Sequence, residues 1–229
     1  MRTFFVPLAV LLTAVTSYFA FRPQSSGTVA FWVLAGGPSL ALGCVAGGWG
    51  EREGLLREWL SPKWGDFTRG VLGAGLLFAA AWGFARVVTP VGSPREIWLV
   101  TLYGQLGDPR VLQAHAPAIA ATLIAASLAE ELVWRGMVTH LLDELLGSRW
   151  GWLGAAFLYA VSYAPTAWSL RADAGGEAGL NPALIIAALG AGVLFGGMAR
   201  VFGRLAPGIL AHALFDWAVV MMIPLWGIR

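Results

Sequence analysis

Residues 127–140 read SLAEELVWRGMVTH, and they place two adjacent glutamates and an arginine inside an apolar stretch. Glu131 and Arg135 are four residues apart, so on a helix they share a face and can form an ion pair. Glu130 is turned by about 100° from Glu131 around the same helix. One carboxylate can therefore lie beside the arginine while the other points into a cavity.

The composition indicates a membrane protein. Of the 229 residues, 58% are hydrophobic and 12% are charged, and that charged fraction is about half of what soluble domains carry. A soluble protein with a large core is the alternative, but the apolar stretches are long enough to span a bilayer. The sequence therefore predicts an all-α, polytopic membrane protein that forms a single membrane domain over residues 1–229.

About seven transmembrane helices are predicted, together with interfacial helices. The predicted membrane segments are residues 4–21, 28–49, 70–89, 116–145, 150–167, 182–200 and 207–226. Residues 51–67 are amphipathic and are predicted to form an interfacial helix anchored by Trp59 and Trp64. Residues 91–114 are predicted to lie along the membrane surface. Asn181 is expected to be the N-cap of the sixth helix, with Pro182 at the first helical position.

The N-terminal segment leaves two questions open: whether it is cleaved, and on which side of the membrane it begins. Residues 4–21 resemble the apolar core of a signal peptide, but 18 uncharged residues favour an uncleaved first helix. Positively charged residues in the connections number eight on one side and six on the other, which weakly favours an inside N-terminus.

Fourteen arginines against one lysine are typical of a GC-rich genome, so we expect a bacterial inner-membrane protein. The single cysteine, Cys44, excludes an internal disulfide and is interpreted as a packing residue.

A second polar pair lies in the predicted seventh segment. Residues 207–220 read PGILAHALFDWAVV, and in this segment His212 and Asp216 are four residues apart and share a helix face. Tyr159 and Tyr163 repeat the same spacing in the fifth segment. Three predicted helices thus each present polar side chains towards one side.

The ionised side chains of these segments do not balance. Glu130, Glu131 and Asp216 carry three negative charges against the one positive charge of Arg135. In a low dielectric this is unfavourable unless His212 is protonated or a carboxylate keeps a proton. Each charge at the centre of a membrane helix costs about 2.5–3.5 kcal/mol on insertion scales. Such residues suit general acid–base chemistry, or they only hold helices together.

At these residues the chain resembles the type II CAAX prenyl endopeptidase and bacteriocin-processing family, also called the CPBP or ABI family, of intramembrane glutamic proteases. The first family motif, Glu-Glu-x-x-x-Arg, is matched by Glu130, Glu131 and Arg135. The last motif, His-x-x-x-Asn or Asp, is matched by His212 and Asp216. The two motifs occur in the family's order, and both lie in predicted membrane segments.

The resemblance covers residues 116–226, which we expect to form the catalytic core, and it departs from the family in the middle motif. That motif is Phe-x-x-x-His, and its best register here is Tyr159-Ala-Val-Ser-Tyr163. Where the family's histidine helps to hold the attacking water, the resemblance implies the hydroxyl of Tyr163. Tyrosine can hydrogen-bond a water molecule but is a poor base at neutral pH.

The resemblance implies a glutamate-dependent peptidase that forms no covalent intermediate. Glu130 would be the general base that activates water, while Glu131 and Arg135 would shape and balance the site. His212 would steady the oxyanion of the tetrahedral intermediate, and Asp216 would orient His212.

The expected partners are the lipid bilayer and a membrane-presented peptide or protein: a leader peptide, a C-terminal sorting signal or a CAAX-like end. No cofactor, metal or nucleic acid is expected, and the chain has no HExxH motif of a zinc protease. His115 and His140 are weaker site candidates. Two other functions stay open, namely a non-catalytic membrane factor that binds a peptide and a small transporter that uses Glu130 and Glu131 as a proton relay.

Overall fold

A computed structural model of the chain describes residues 4–174 and 177–221. The predicted all-helical class is confirmed, apart from one short hairpin of two antiparallel strands in which Ala172 lies opposite Gly179. The helices are α1 (Phe5–Ala20), α2 (Val29–Arg52), α3 (Leu56–Leu60), α4 (Asp66–Val87), α5 (Glu96–Gly104), α6 (Pro109–Ala114), α7 (Ala116–Glu131), a π-helical segment (Leu132–Val138), α8 (Thr139–Leu146), α9 (Gly151–Ser162), α10 (Ala164–Ser169), α11 (Ala183–Phe202) and α12 (Ala206–Met221), and the strands are β1 (Ala172–Ala174) and β2 (Glu177–Gly179).

Among the described residues, four helical stretches are long and apolar enough to cross a membrane. They are α2, α4, α11 and the continuous stretch Ala116–Leu146, which joins α7, the π-helical segment and α8. The helices α1 and α12 are apolar but have 16 residues each. An integral membrane protein is therefore supported, whereas the count of about seven spans is not confirmed. The predicted end of the seventh segment, at residue 226, lies outside the described residues.

The fifth predicted segment is not one helix. Helix α9 ends at Ser162, and Tyr163 separates it from α10, which has Pro165 in its first turn. Proline lacks an N–H group, and its ring clashes with the preceding turn, so the helix cannot continue through it. The prediction of an unbroken helix over residues 150–167 was wrong for this reason.

The predicted interfacial helix over residues 51–67 was also wrong in extent. Helix α2 continues through Arg52, α3 has only five residues, and α4 begins at Asp66. Trp64 is fully exposed. The ring of Trp59 instead packs into a notch where α2 and the π-helical segment both carry a glycine. Trp59 is thus a packing residue between helices.

The predicted capping by the Asn181 side chain is confirmed, but the helix begins at Ala183, so Pro182 precedes it and is not its first residue. The side-chain oxygen of Asn181 accepts a hydrogen bond from the backbone N–H of Ala183, at 3.1 Å, where α11 begins. The amide nitrogen of Asn181 donates to the carbonyl of Trp98 at 2.8 Å and to the Thr101 hydroxyl at 3.0 Å. One buried side chain therefore caps α11 and ties it to α5.

A buried ion pair closes the opposite end of the helix bundle. The guanidinium of Arg204, between α11 and α12, donates to both carboxylate oxygens of Asp66, at 2.9 and 2.5 Å. This hydrogen bonding raises the pKa of Arg204 above its ordinary value. The backbone N–H of Leu205 donates to the carbonyl of Trp59 at 2.9 Å. The start of α12 is thus tied to α3 and α4.

Small residues let the central helices approach closely. A Cβ atom at Gly192 of α11 would lie 3.1 Å from the Cα of Ala156 on α9. A Cβ atom at Gly43 of α2 would lie 2.6 Å from the Cβ of Ala129 and 2.8 Å from its Cα. Close backbone contacts at glycine are typical of helices that pack in lipid. The contact at Ala129 places α2 beside the residue that precedes Glu130.

We expect G43A to destabilise the protein, because overpacking a close contact costs about 1–3 kcal/mol. The measurement is the free energy of unfolding in detergent micelles. G48A is the matched control on the same helix, since nothing lies within 4 Å of a Cβ atom at Gly48. Equal stabilities of the two variants would contradict the close packing of α2 on α7.

Candidate active site

A buried contact joins the two motifs of the sequence. Nδ1 of His212, on α12, lies 2.9 Å from Oε1 of Glu131, the last residue of α7. The Glu131 side chain is completely buried, and that of His212 is 6% exposed. The imidazole stacks on the ring of Phe195 from α11, with centroids 4.7 Å apart. Three helices therefore meet at this imidazole.

The predicted pair of Glu131 and Arg135 is present. Nη1 of Arg135 lies 3.2 Å from Oε1 of Glu131, the same oxygen that faces His212. The contact is an ion pair without hydrogen-bond geometry, because both Nη atoms of Arg135 are buried without a hydrogen-bond partner. The guanidinium lies over two aromatic rings, 4.7 Å from the centroid of Tyr159 and 5.2 Å from that of Phe195. Cation–π contacts thus supplement the ion pair.

Glu130 has a different environment from its neighbour. Its Oε2 accepts a hydrogen bond of 2.7 Å from the hydroxyl of Tyr159, and its Oε1 accepts a long one of 3.5 Å from Ser39 on α2. Its side chain is partly exposed. Within the described part of the chain, no basic side chain forms an ion pair with Glu130. The expected division is therefore present, with one glutamate beside the arginine and the other turned away from it.

Asp216 lies on the other side of the imidazole. Its Oδ2 is 3.4 Å from Nε2 of His212 and accepts a hydrogen bond of 3.3 Å from the hydroxyl of Ser127. The Asp216 side chain is 29% exposed. His212 therefore faces a carboxylate at each ring nitrogen, with the shorter contact to Glu131.

The hydroxyl that reaches Glu130 belongs to Tyr159, whereas the middle-motif register had assigned the polar role to Tyr163. Tyr163 follows the last residue of α9, and its ring stands nearly perpendicular to that of Tyr159, with centroids 5.5 Å apart. It interacts electrostatically with both Glu130 and Asp216. Tyr163 is thus next to the site, but it makes no hydrogen bond to Glu130.

Four residues of the site were missed as site residues by sequence reasoning: Ser39, Ser127, Tyr159 and Phe195. Ser127 had a usable signal, since it lies four residues before Glu131 and so shares its helix face. Tyr159 had one as well, because it occupies the position of the family's phenylalanine and adds a hydroxyl. The two others come from helices that carry no motif.

Within the described part of the chain, the two remaining histidines form no ion pair with the groups of this cluster. His115 is exposed, and it immediately precedes α7. His140 lies 3.8 Å from Glu144 and lines a cavity of about 260 Å³ at the end of the bundle that holds Arg204. Across residues 4–174 and 177–221, no group of three or more His, Cys, Asp or Glu side chains is arranged to hold a metal ion.

Apolar helices around a buried cluster of acidic, basic and imidazole groups define an integral membrane protein with a polar site in its interior. Residues 112–218 match the family model described as Rce1-like, type II CAAX prenyl endopeptidase Rce1-like. The match spans a little under half of the chain, agrees with the resemblance drawn from the motifs, and suggests a CAAX-type membrane endopeptidase. All six predicted site residues lie in the matched range. No match was found among curated proteins or among solved structures.

We expect R135K to destabilise the protein, because lysine lacks the planar guanidinium that lies over two aromatic rings. A desolvated cation–π contact contributes about 2 kcal/mol or more, and the measurement is the free energy of unfolding in micelles. R149K is the control, since Arg149 also lies over a tryptophan ring but is exposed. Its stability should change by no more than about 0.5 kcal/mol. A similar small change in R135K would contradict this interpretation of Arg135.

Proposed function

We propose that this protein is an intramembrane glutamic endopeptidase in which Glu130 activates the water that cleaves a peptide bond. The family match supports a membrane endopeptidase, and the catalytic role of Glu130 goes beyond it. The observation that carries the proposal is that Glu130 alone, among the three carboxylates of the described cluster, has no basic partner within ion-pair distance.

The balance of charges in the cluster supports Glu130 as the base. Glu131 faces Arg135, and Asp216 faces His212. When the imidazole carries both ring protons, each nitrogen can donate to the carboxylate that it faces. These four groups then balance, with two negative and two positive charges. The carboxylate of Glu130 remains free to act on a water molecule.

The proposed reaction needs no bond between enzyme and substrate. Glu130 takes a proton from water as the water oxygen attacks the carbonyl carbon of the scissile peptide. The carbonyl oxygen becomes an oxyanion, the C–N bond then breaks, and the proton passes from Glu130 to the leaving nitrogen. The products are a carboxylate and an amine. General base catalysis of this kind contributes about 10²–10⁴-fold in rate.

His212 is proposed to steady the oxyanion through Nε2. The contact of Nε2 with Asp216, at 3.4 Å, is longer than an ordinary hydrogen bond, whereas Nδ1 is held by Glu131 at 2.9 Å. The Nε2–H group, which Asp216 engages only weakly, can therefore donate to an oxyanion that forms beside it while Nδ1 keeps the ring in place. Donors in comparable sites contribute about 2.7–4 kcal/mol. In this proposal Asp216 orients the imidazole, and Glu131 and Arg135 balance the site.

Tyr163 is proposed to help hold the attacking water. It is partly buried, and its ring packs against Tyr159, whose hydroxyl donates to Glu130. A phenol can donate to or accept from water. This is the role that the family's histidine has in the middle motif.

The proposed substrate is a peptide end presented at the membrane: a leader peptide, a C-terminal sorting signal or a CAAX-like end. The description of the matching family favours the last. The arginine-rich composition favours a bacterial inner membrane, where leader and sorting peptides are the more common substrates. The inside orientation of the N-terminus is a further part of the proposal.

A non-catalytic factor that binds a membrane peptide is the second candidate. Two observations favour it. The middle motif has Tyr163 in place of histidine, and both ring nitrogens of His212 already face carboxylates. In such a protein the polar cluster would recognise the peptide without cleaving it.

The two functions are separated by E130Q in proteoliposomes. The probes are a leader peptide, a peptide with an apolar C-terminal helix and a farnesylated CAAX peptide, each incubated in ¹⁸O-water and analysed by mass spectrometry. We expect wild-type protein to cleave at least one probe and to place ¹⁸O in the new carboxylate. We expect E130Q to reduce kcat by about 10²–10⁴-fold, because glutamine cannot take a proton from water.

E144Q is the matched control, since Glu144 is exposed and lies outside the site. It should cleave at the wild-type rate. Cleavage by E130Q at that rate would refute Glu130 as the base. If wild-type protein binds a probe but releases no product from any of them, the non-catalytic factor is the better account.

A further inference from the structure

We infer that Tyr159 is the positioning residue of this site, holding Glu130 through its hydroxyl and Arg135 through its ring. In this inference the residue that hydrogen-bonds the base stands at a position where the family carries phenylalanine. Its catalytic consequence rests on the proposed function, whereas its structural part does not.

The hydroxyl of Tyr159 makes the shorter of the two hydrogen bonds to Glu130. It donates to Oε2 at 2.7 Å, against 3.5 Å for Ser39 and Oε1. Short bonds to an ionised acceptor are stronger than bonds between neutral groups. Tyr159 is 5% exposed, so bulk water has little access to replace its hydroxyl. The direction of the Glu130 carboxylate thus depends mainly on Tyr159.

The ring of Tyr159 contacts the other half of the motif. The guanidinium of Arg135 lies 4.7 Å from its centroid, and Trp134 packs against the same ring at 5.2 Å. Glu130 belongs to α7, whereas Arg135 belongs to the π-helical segment, where the α-helical register is interrupted. An ideal helix therefore does not fix the placement of Glu130 relative to Arg135. Tyr159, which belongs to another helix, contacts both Glu130 and Arg135 and so sets their relative placement.

The packing of α9 on α11 sets the direction of Tyr159. Ala156, one turn before Tyr159, is in the close contact with Gly192 that packs α9 on α11. Residues three apart lie on neighbouring parts of one helix face. The rotation of α9 about its axis is thereby set, and it turns Tyr159 towards Glu130.

The test uses Y159F, which keeps the ring and removes the hydroxyl. The infrared difference between wild-type protein and E130Q isolates the carboxylate band of Glu130. We expect Y159F to shift that band, because the carboxylate loses its shorter hydrogen bond. Y18F is the control, because the Tyr18 hydroxyl on α1 accepts from Arg22 and not from a group of the site, and it should leave the band in place. An unshifted band in Y159F would overturn the inference.

Activity gives a second readout. With any probe that wild-type protein cleaves, Y159F should lower kcat by roughly 10- to 100-fold with little change in KM, which is the cost of one hydrogen bond to a charged group. If wild-type protein cleaves no probe, the proposed function fails, but the band shift still decides the placement of Tyr159. If Y159F does not fold, 3-fluorotyrosine at position 159 keeps the ring and alters the donor strength. The Glu130 band must then shift in that protein, and an unshifted band refutes the inference.

Discussion

The contact between Glu131 and His212 is the constraint on which the rest of the site depends. A carboxylate that is completely buried among apolar helices is costly unless other groups compensate its charge. Its compensation comes from two directions, from Arg135 on the same helix and from His212 on α12. Because one of these partners belongs to another helix, the contact requires α7 and α12 to lie side by side. Phe195 on α11 then packs against the imidazole and the guanidinium together.

A difference between neighbouring glutamates follows from that arrangement. Glu131 is enclosed and matched by cations, so its place is structural and electrostatic. Glu130, about 100° further round the helix, lies on the partly exposed side, where hydroxyl groups are its partners. One helix thus carries a balanced carboxylate and an unbalanced one at adjacent positions. General base chemistry on water requires a carboxylate without a cationic partner, as Glu130 is. The carboxylate of Glu131, whose charge is compensated, holds the surrounding helices together.

Much of this could be predicted from the sequence, because helical spacing fixes which side chains share a face. The pairs Glu131–Arg135 and His212–Asp216 follow from a spacing of four, and both are present. The choice of Tyr159 over Tyr163 was missed although the added hydroxyl was a signal, because a spacing of four predicts one face for both and the rotation of α9 depends on its contact with Gly192. Ser39 comes from a helix without any motif. The break in the fifth segment was missed because the prediction used only the length of the apolar run and did not consider that Pro165 ends the helix.

The most direct measurement is a double-mutant cycle on Glu131 and His212. It compares the free energies of unfolding in lipid bicelles of wild-type protein, E131A, H212A and the double variant. If the two side chains hold α7 and α12 together, their coupling energy should be about 1–3 kcal/mol, as expected for a buried hydrogen bond to a charged group. Additive effects of the two substitutions, within about 0.5 kcal/mol, would contradict the account.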